Sequence, residues 1–190
     1  MIKRIEELSM NAWPAFQTKL YDGWVLRFAD GYTKRANSVN PLYQSTLPLA
    51  EKIDYCEKEY KSRELPVVFK LTSESIPERI DNVLEGRGYA KVDETSVRWL
   101  EMRQYNIRLP RDIVIEAMAD DRWFEAFCSC SGLVDKKNRI CARRILDNVP
   151  GNAIFVVKQV EGRIMGCGFG AIDGEYIGLF RPPYLNSQPT

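Results

Sequence analysis

Histidine is absent from the 190 residues. That absence excludes the Ser-His-Asp and Cys-His arrangements, the HExxH zinc site and the Cys2His2 finger. Proton transfer near neutral pH falls to Glu, Asp, Tyr, Cys, Lys, a chain terminus or water. An excess of either charge is also lacking: 27 Lys and Arg stand against 26 Asp and Glu, a net charge of +1. Non-specific grip on a polyanion needs surplus cations, so no nucleic-acid partner is expected. No apolar run approaches the ~20 residues that cross a bilayer, and MIKRIEELSM lacks the apolar segment of a signal peptide. No membrane association is expected, and a cytoplasmic, reducing setting is the default. The five cysteines are odd in number, and none has CxxC spacing. Cys128-Ser129-Cys130 has no second ligand pair, so buried thiols are expected and no metal.

What is there reads as an ordinary globular mix, 45% hydrophobic and 28% charged. Asp22-Gly23 between Leu20-Tyr21 and Trp24-Val25-Leu26-Arg27-Phe28 predicts a β-hairpin, with Asp30-Gly31 as a second turn. Leu47, Leu49, Ile53, Cys56 and Tyr60 then fall at helical spacings, and Pro66 ends that helix near Glu64. Val67 to Leu71 predicts a short buried strand. Ser75-Ile76-Pro77-Glu78 predicts a capped helix start, with a stop at Gly86 or Gly88. Tyr89 to Met102 predicts a further strand centred on Val97, Trp99 and Leu100. The irregular stretch from Arg103 to Pro110 is the expected boundary between halves. The second half predicts a strand at Asp112 to Met118 and helices at Asp121 to Cys130 and Lys136 to Asn148. A strand from Ala153 to Val160, its partner from Arg163 to Ile172 and a last strand from Glu175 to Phe180 follow. The expected organisation is an amino-terminal α/β half over residues 1–105, a second unit over 106–180, and an irregular tail over 181–190. Trp24, Phe69, Trp99, Phe155 and Phe169 are the expected core aromatics.

Three places carry residue types suited to chemistry. Arg35, Asn37 and Ser38 put a guanidinium, an amide and a hydroxyl near a strand end as ligand candidates, against the plainer reading that they satisfy local turns. Arg163 to Gly168 spells R-x-x-G-x-G, which can wrap a pyrophosphate where a strand precedes it and a helix follows. No helical pattern follows, so the string is expected inside a strand. The acid–base inventory is Glu116, Asp173, Glu175, Tyr176 and Tyr184, with Glu175 and Tyr184 as catalytic candidates.

The second half, from Asp112 to a meander ending in VVKQVEGRIMGCGFGAIDGEYIGLF, resembles the opening of a GNAT-type N-acetyltransferase domain. The first half, with DGWVLRFADGYTKRANSVNP, LPVVFKLT and a helix ending in GRGY, resembles the amino-terminal region of a bacterial two-part GNAT subfamily. The resemblance implies an α/β (α+β) fold with mixed, mostly antiparallel sheets flanked by helices. It also implies acetyl-CoA as co-substrate and direct attack of a small-molecule or peptide amine on the thioester, which needs no histidine. By the resemblance, Ile177, Gly178, Leu179 and Phe180 correspond to the strand whose backbone pairs with the pantetheine arm. In the family that strand continues into a glycine-rich pyrophosphate loop; here RPPYLNSQPT follows. The expectation is a truncated acetyltransferase, weak or inactive, with the apolar edge of the last strand either dimerising or covered by the first half. The competing expectations are a non-catalytic small-molecule-binding or dimerising module and a non-functional fragment.

Overall fold

The computed structural model describes residues 1–102, 108–150 and 152–180. The fold is mixed α/β with two antiparallel sheets. Chain order runs α1 (Ile2–Ala12), β1 (Gln17–Tyr21), β2 (Trp24–Phe28), a 3-10 turn (Lys34–Ala36), β3 (Val39–Pro41), α2 (Leu49–Lys61) and α3 (Ile80–Gly86). It continues as β4 (Ile113–Glu116), α4 (Asp121–Ser131), α5 (Lys136–Asp147), β5 (Asn152–Val160), β6 (Arg163–Asp173) and β7 (Tyr176–Phe180).

The first sheet orders its strands β1-β2-β3. Asp22-Gly23 makes the expected two-residue turn, Tyr21 facing Trp24, with φ of 41° and 81°. Those positive angles match the twist of paired strands. Trp24, Leu26 and Phe28 share one face of β2 and pack with Ile53, Cys56 and Tyr60 of α2 and with Ile80 and Leu84 of α3. Arg27 points to the other face, toward α1.

The second sheet orders its strands β4-β5-β6-β7, every neighbour antiparallel. Asp120 caps α4 by accepting from the Trp123 amide, and Asp135 caps α5 by accepting from the Asn138 amide. Both helices cover the face that carries Phe155, Val157, Phe169 and Ala171, with Trp123 as the central side chain. Its indole N–H donates to the Val156 carbonyl at 3.2 Å, and its ring meets Phe155 edge-on at 4.9 Å. Ala12, Trp13, Ala29 and Ala36 from the first half complete this core.

Three expectations are corrected and one element is added. Trp99 is 66% exposed, and residues 90–102 form no strand, because no backbone among the described residues completes a ladder for them. Val67 to Leu71 is no regular strand; it meets β3 through a single parallel bridge between Val39 and Phe69. α3 begins at Ile80 and not near Ser75, whose hydroxyl instead accepts from the Thr72 amide in a local turn. α1 was not expected, since Ile2, Ile5 and Ala12 form a sparse apolar stripe among charged and polar residues.

Candidate functional site

A cleft of 390 Å³ opens where the first half meets the carboxyl end of β7. Trp13, Tyr32, Thr33 and Arg35 line it from one side; Phe127, Ser131, Phe169, Leu179 and Phe180 line it from the other. The volume lies within the ~300–1,000 Å³ typical of small-molecule sites.

Buried polar side chains in the first half hold the lining in place. Arg27, 3% exposed, donates to the carbonyls of Arg35 (2.6 Å), Trp13 (2.6 Å) and Met10 (3.1 Å). Met10 and Trp13 are at the carboxyl end of α1, where helix carbonyls lack internal partners and a cation is favoured. The same guanidinium therefore pins both α1 and the turn that carries Arg35. Burial lowers the Arg27 pKa to about 10, so it remains charged at neutral pH. Asn37 accepts from the Ala29 and Gly31 amides and donates to the Tyr32 and Thr33 carbonyls. The Trp13 indole N–H donates to the Thr33 hydroxyl at 3.0 Å.

Across the floor, Trp13 stacks on Phe169 at 6.0 Å, and Phe169 stacks on Phe180 at 4.9 Å. The Arg35 guanidinium lies over the Phe180 ring at 5.3 Å. Solvent still reaches Arg35, yet the apolar surroundings lower its pKa. Burial pushes the Tyr32 phenol up to about 12, so it stays protonated. Among the described residues, none that lines the cleft carries a carboxylate.

The ligand candidates from the sequence divide here. Arg35 lines the cleft, whereas the Asn37 amide is fully engaged by backbone and Ser38 is wholly buried, its hydroxyl accepting from Asn40. Ile177, Gly178, Leu179 and Phe180 lie along β7, which pairs with β6 on one side and has no strand on its other side among the described residues. Glu175 is exposed in the turn before β7, separated from Phe180 by about 16 Å of extended chain at ~3.3 Å per residue. The structure therefore does not bring Glu175 to the cleft. Asp173 accepts from Asn11 and pairs with Arg4. Tyr184 lies outside the described residues. Arg163 to Gly168 runs along β6 in register with β5, and β6 continues to Asp173 with no helix after the string.

Sequence reasoning missed Trp13, Tyr32, Thr33, Phe127 and Ser131 as lining residues. Their convergence depends on tertiary packing, and no spacing links them. A signal did exist for the scaffold: Arg27 is a charge inside the apolar run Trp24-Val25-Leu26-Arg27-Phe28.

Residues 1–158 match the family described as "Probable histone acetyltransferase Rv0428c C-terminal". A 93-residue stretch is 39% identical to an "Uncharacterized N-acetyltransferase YobR" of Bacillus subtilis (strain 168), covering 49% of this chain and 36% of that protein. The aligned stretch thus spans about a third of the length of the curated relative it matches. No solved structure matches.

Proposed function

The chain belongs to the family described as probable histone acetyltransferase Rv0428c C-terminal, and from that membership we propose that it transfers an acetyl group from acetyl-CoA to an amine in the cleft beside β7. The carrying observation is the position of this cleft at the end of a strand that is an edge among the described residues, in a member of an acetyltransferase family. In the GNAT-type arrangement that the sequence resembles, the open backbone edge of Ile177 to Phe180 takes the amide groups of the pantetheine arm. The amine lone pair attacks the thioester carbonyl, a C–N bond forms, the C–S bond breaks, and the sulfur leaves as thiolate. The ammonium proton goes to thiolate or water, a route open to a protein without histidine.

Turnover by this chain is expected to be weak. The one glycine string that spells an anion loop, Arg163 to Gly168, lies within β6. Charge-assisted hydrogen bonds are worth about 1.5–3 kcal/mol each, so donor binding that finds no such cradle among the described residues falls by orders of magnitude. The test is thiol release from acetyl-CoA with panels of small amines, amino acids and peptides. Amine-dependent release, slow and with a high KM for acetyl-CoA, supports the reading. Absence of release at saturating donor and acceptor overturns catalysis. An accompanying rise in Tm with acetyl-CoA then identifies a non-catalytic binding module.

A further inference from the structure

Three of the five free thiols converge where α4 lies against β6. Trp123, Phe127 and Cys130 stand at i, i+4 and i+7, one stripe along α4. Trp123 on that stripe meets the Phe169 ring edge-on at 6.4 Å. Cys167, Phe169 and Ala171 alternate along β6 and share the face that the helix covers. The stripe therefore carries Cys130 to Cys167, and the two thiols share a hydrogen bond, with Cys128 close by. Cys128 cannot bridge to Cys130, because residues two apart on a helix point to different faces. Cys56 lies in the core of the first sheet, and Cys141 lies on α5.

The two thiols differ in access. Cys130 is 6% exposed, whereas Cys167 is the one thiol of the five that is not fully buried. A partly exposed thiol beside a covered one is the arrangement of an attacking and a resolving cysteine. Burial and the neighbouring Cys130 and Cys128 push the Cys167 thiol up to about 12. Little thiolate is therefore present at neutral pH, and attack is slow. The same high value makes Cys167 a poor leaving group, so a disulfide once formed there resists reduction. Such a pair acts as a latch, slow to close and slow to open.

We propose that Cys130 and Cys167 are a modification site, closed by an oxidant of the disulfide class into a bond that fastens the carboxyl end of α4 to β6. The Cys167 thiolate attacks one sulfur of an external disulfide RSSR; a new S–S bond forms, the external one breaks, and RS⁻ leaves. The Cys130 sulfur then gives up its proton, attacks Cys167 Sγ and expels the second RS⁻. Two protein thiols are oxidised, one RSSR is reduced, and the two protons end on two RSH. Ser131 follows Cys130, Phe127 precedes it by one turn, and Phe169 lies two residues beyond Cys167; all three line the cleft. Oxidation thus fixes one wall of the cleft. This inference is independent of acetyl transfer.

The full chain is incubated with excess glutathione disulfide, its free thiols are blocked with iodoacetamide, and the digest is mapped by mass spectrometry. The expected product is a monomer with Cys130 linked to Cys167 and the other three cysteines alkylated, reopened by excess dithiothreitol. Its formation is expected to speed up about tenfold per pH unit between about pH 7 and pH 9, as the thiolate fraction grows. The oxidised chain is expected to melt about 5 °C or more above the reduced one. C130A is expected to stop at the mixed disulfide of Cys167 with glutathione, C167A to prevent the reaction, and C56A to leave it unchanged. Mapping of the unaltered chain decides the matter even where C130A or C167A folds poorly. Five alkylated cysteines after prolonged oxidation, glutathione retained on Cys167 of the unaltered chain, or links that use Cys128 in place of Cys130 each overturn the proposal. So does a lower Tm on oxidation, which marks a bond that the fold does not accommodate.

Discussion

At the scale of single residues, buried cations organise the first half. Lys52 is fully buried; its ammonium donates to the Asp22 carbonyl at 2.6 Å and to Ser45 Oγ, and sits 4.1 Å from the Trp24 ring centroid. The Asp22 carboxylate accepts from the Leu47 and Thr46 amides and the Thr46 hydroxyl, and pairs with Lys52 at 3.2 Å. Those backbone donors hold its pKa well below the usual carboxylate range. A depressed folded pKa means stability that is present above the unfolded value of ~3.9 and lost as pH falls toward the folded one. Urea midpoints measured from pH 7 down to pH 3 are expected to fall on the acid side, with a shallower fall in Asp22→Asn. Asparagine tolerates the positive φ at this site, so the substitution leaves the turn intact. Arg27→Ala removes the partner of three carbonyls at once and is expected to destabilise by about 3 kcal/mol, read from the urea midpoint. Arg27→Lys, with a compact ammonium in place of the planar fork, recovers part of that loss. The apolar run around Arg27 hints at its burial, whereas Lys52, at a charged helical stretch, gives no such hint, because its partners Asp22 and Ser45 lie far along the sequence.

At the scale of elements, periodicity and turn chemistry identified most of what forms. The Asp22-Gly23 and Glu161-Gly162 hairpins and helices α2, α4 and α5 follow from local signals, because a two-residue turn or a 3.6-residue repeat is determined within a few residues. Residues 90–102 carry strand-like residues but need a neighbouring ladder, and none exists among the described residues. Gly23 illustrates how a turn acquires a tertiary requirement. A Cβ there would lie 2.2 Å from the Gln44 carbonyl oxygen, and φ is +81°. Gly23→Ala is therefore expected to cost about 2–3 kcal/mol. Gly170 is crowded by side chain and not by backbone, Ile177 Cδ1 at 2.9 Å and Cγ1 at 3.2 Å on a half-exposed residue, so Gly170→Ala is expected to cost less. Thermal melts of the two variants side by side check the order.

At the scale of the whole molecule, the two sheets are joined through a core that crosses between halves. Trp13 is 5% exposed and stacks on Phe169, and Ala29 and Ala36 pack into the same cluster as Trp123. Trp13→Ala is expected to cost about 3–5 kcal/mol, as large aromatic truncations in cores do, and to loosen α1 from β6. A shared core also predicts one cooperative transition, with tryptophan fluorescence and far-UV circular dichroism giving coincident urea curves. Two separated transitions would show that the halves unfold independently. Composition and local pattern alone determined the histidine-free chemistry, the mixed α/β class, the hairpins and the strand setting of Arg163 to Gly168. Each of these depends on residue identity or on spacings within one element. Tertiary structure decided the cleft, the separation of Arg35 from Asn37 and Ser38, and the distance of Glu175 from β7's far end. These depend on where α1, the 29–37 turn and α4 come to rest against the second sheet. That placement is set by long-range burial of Trp13, Trp123 and Phe169 together, and no local spacing encodes it.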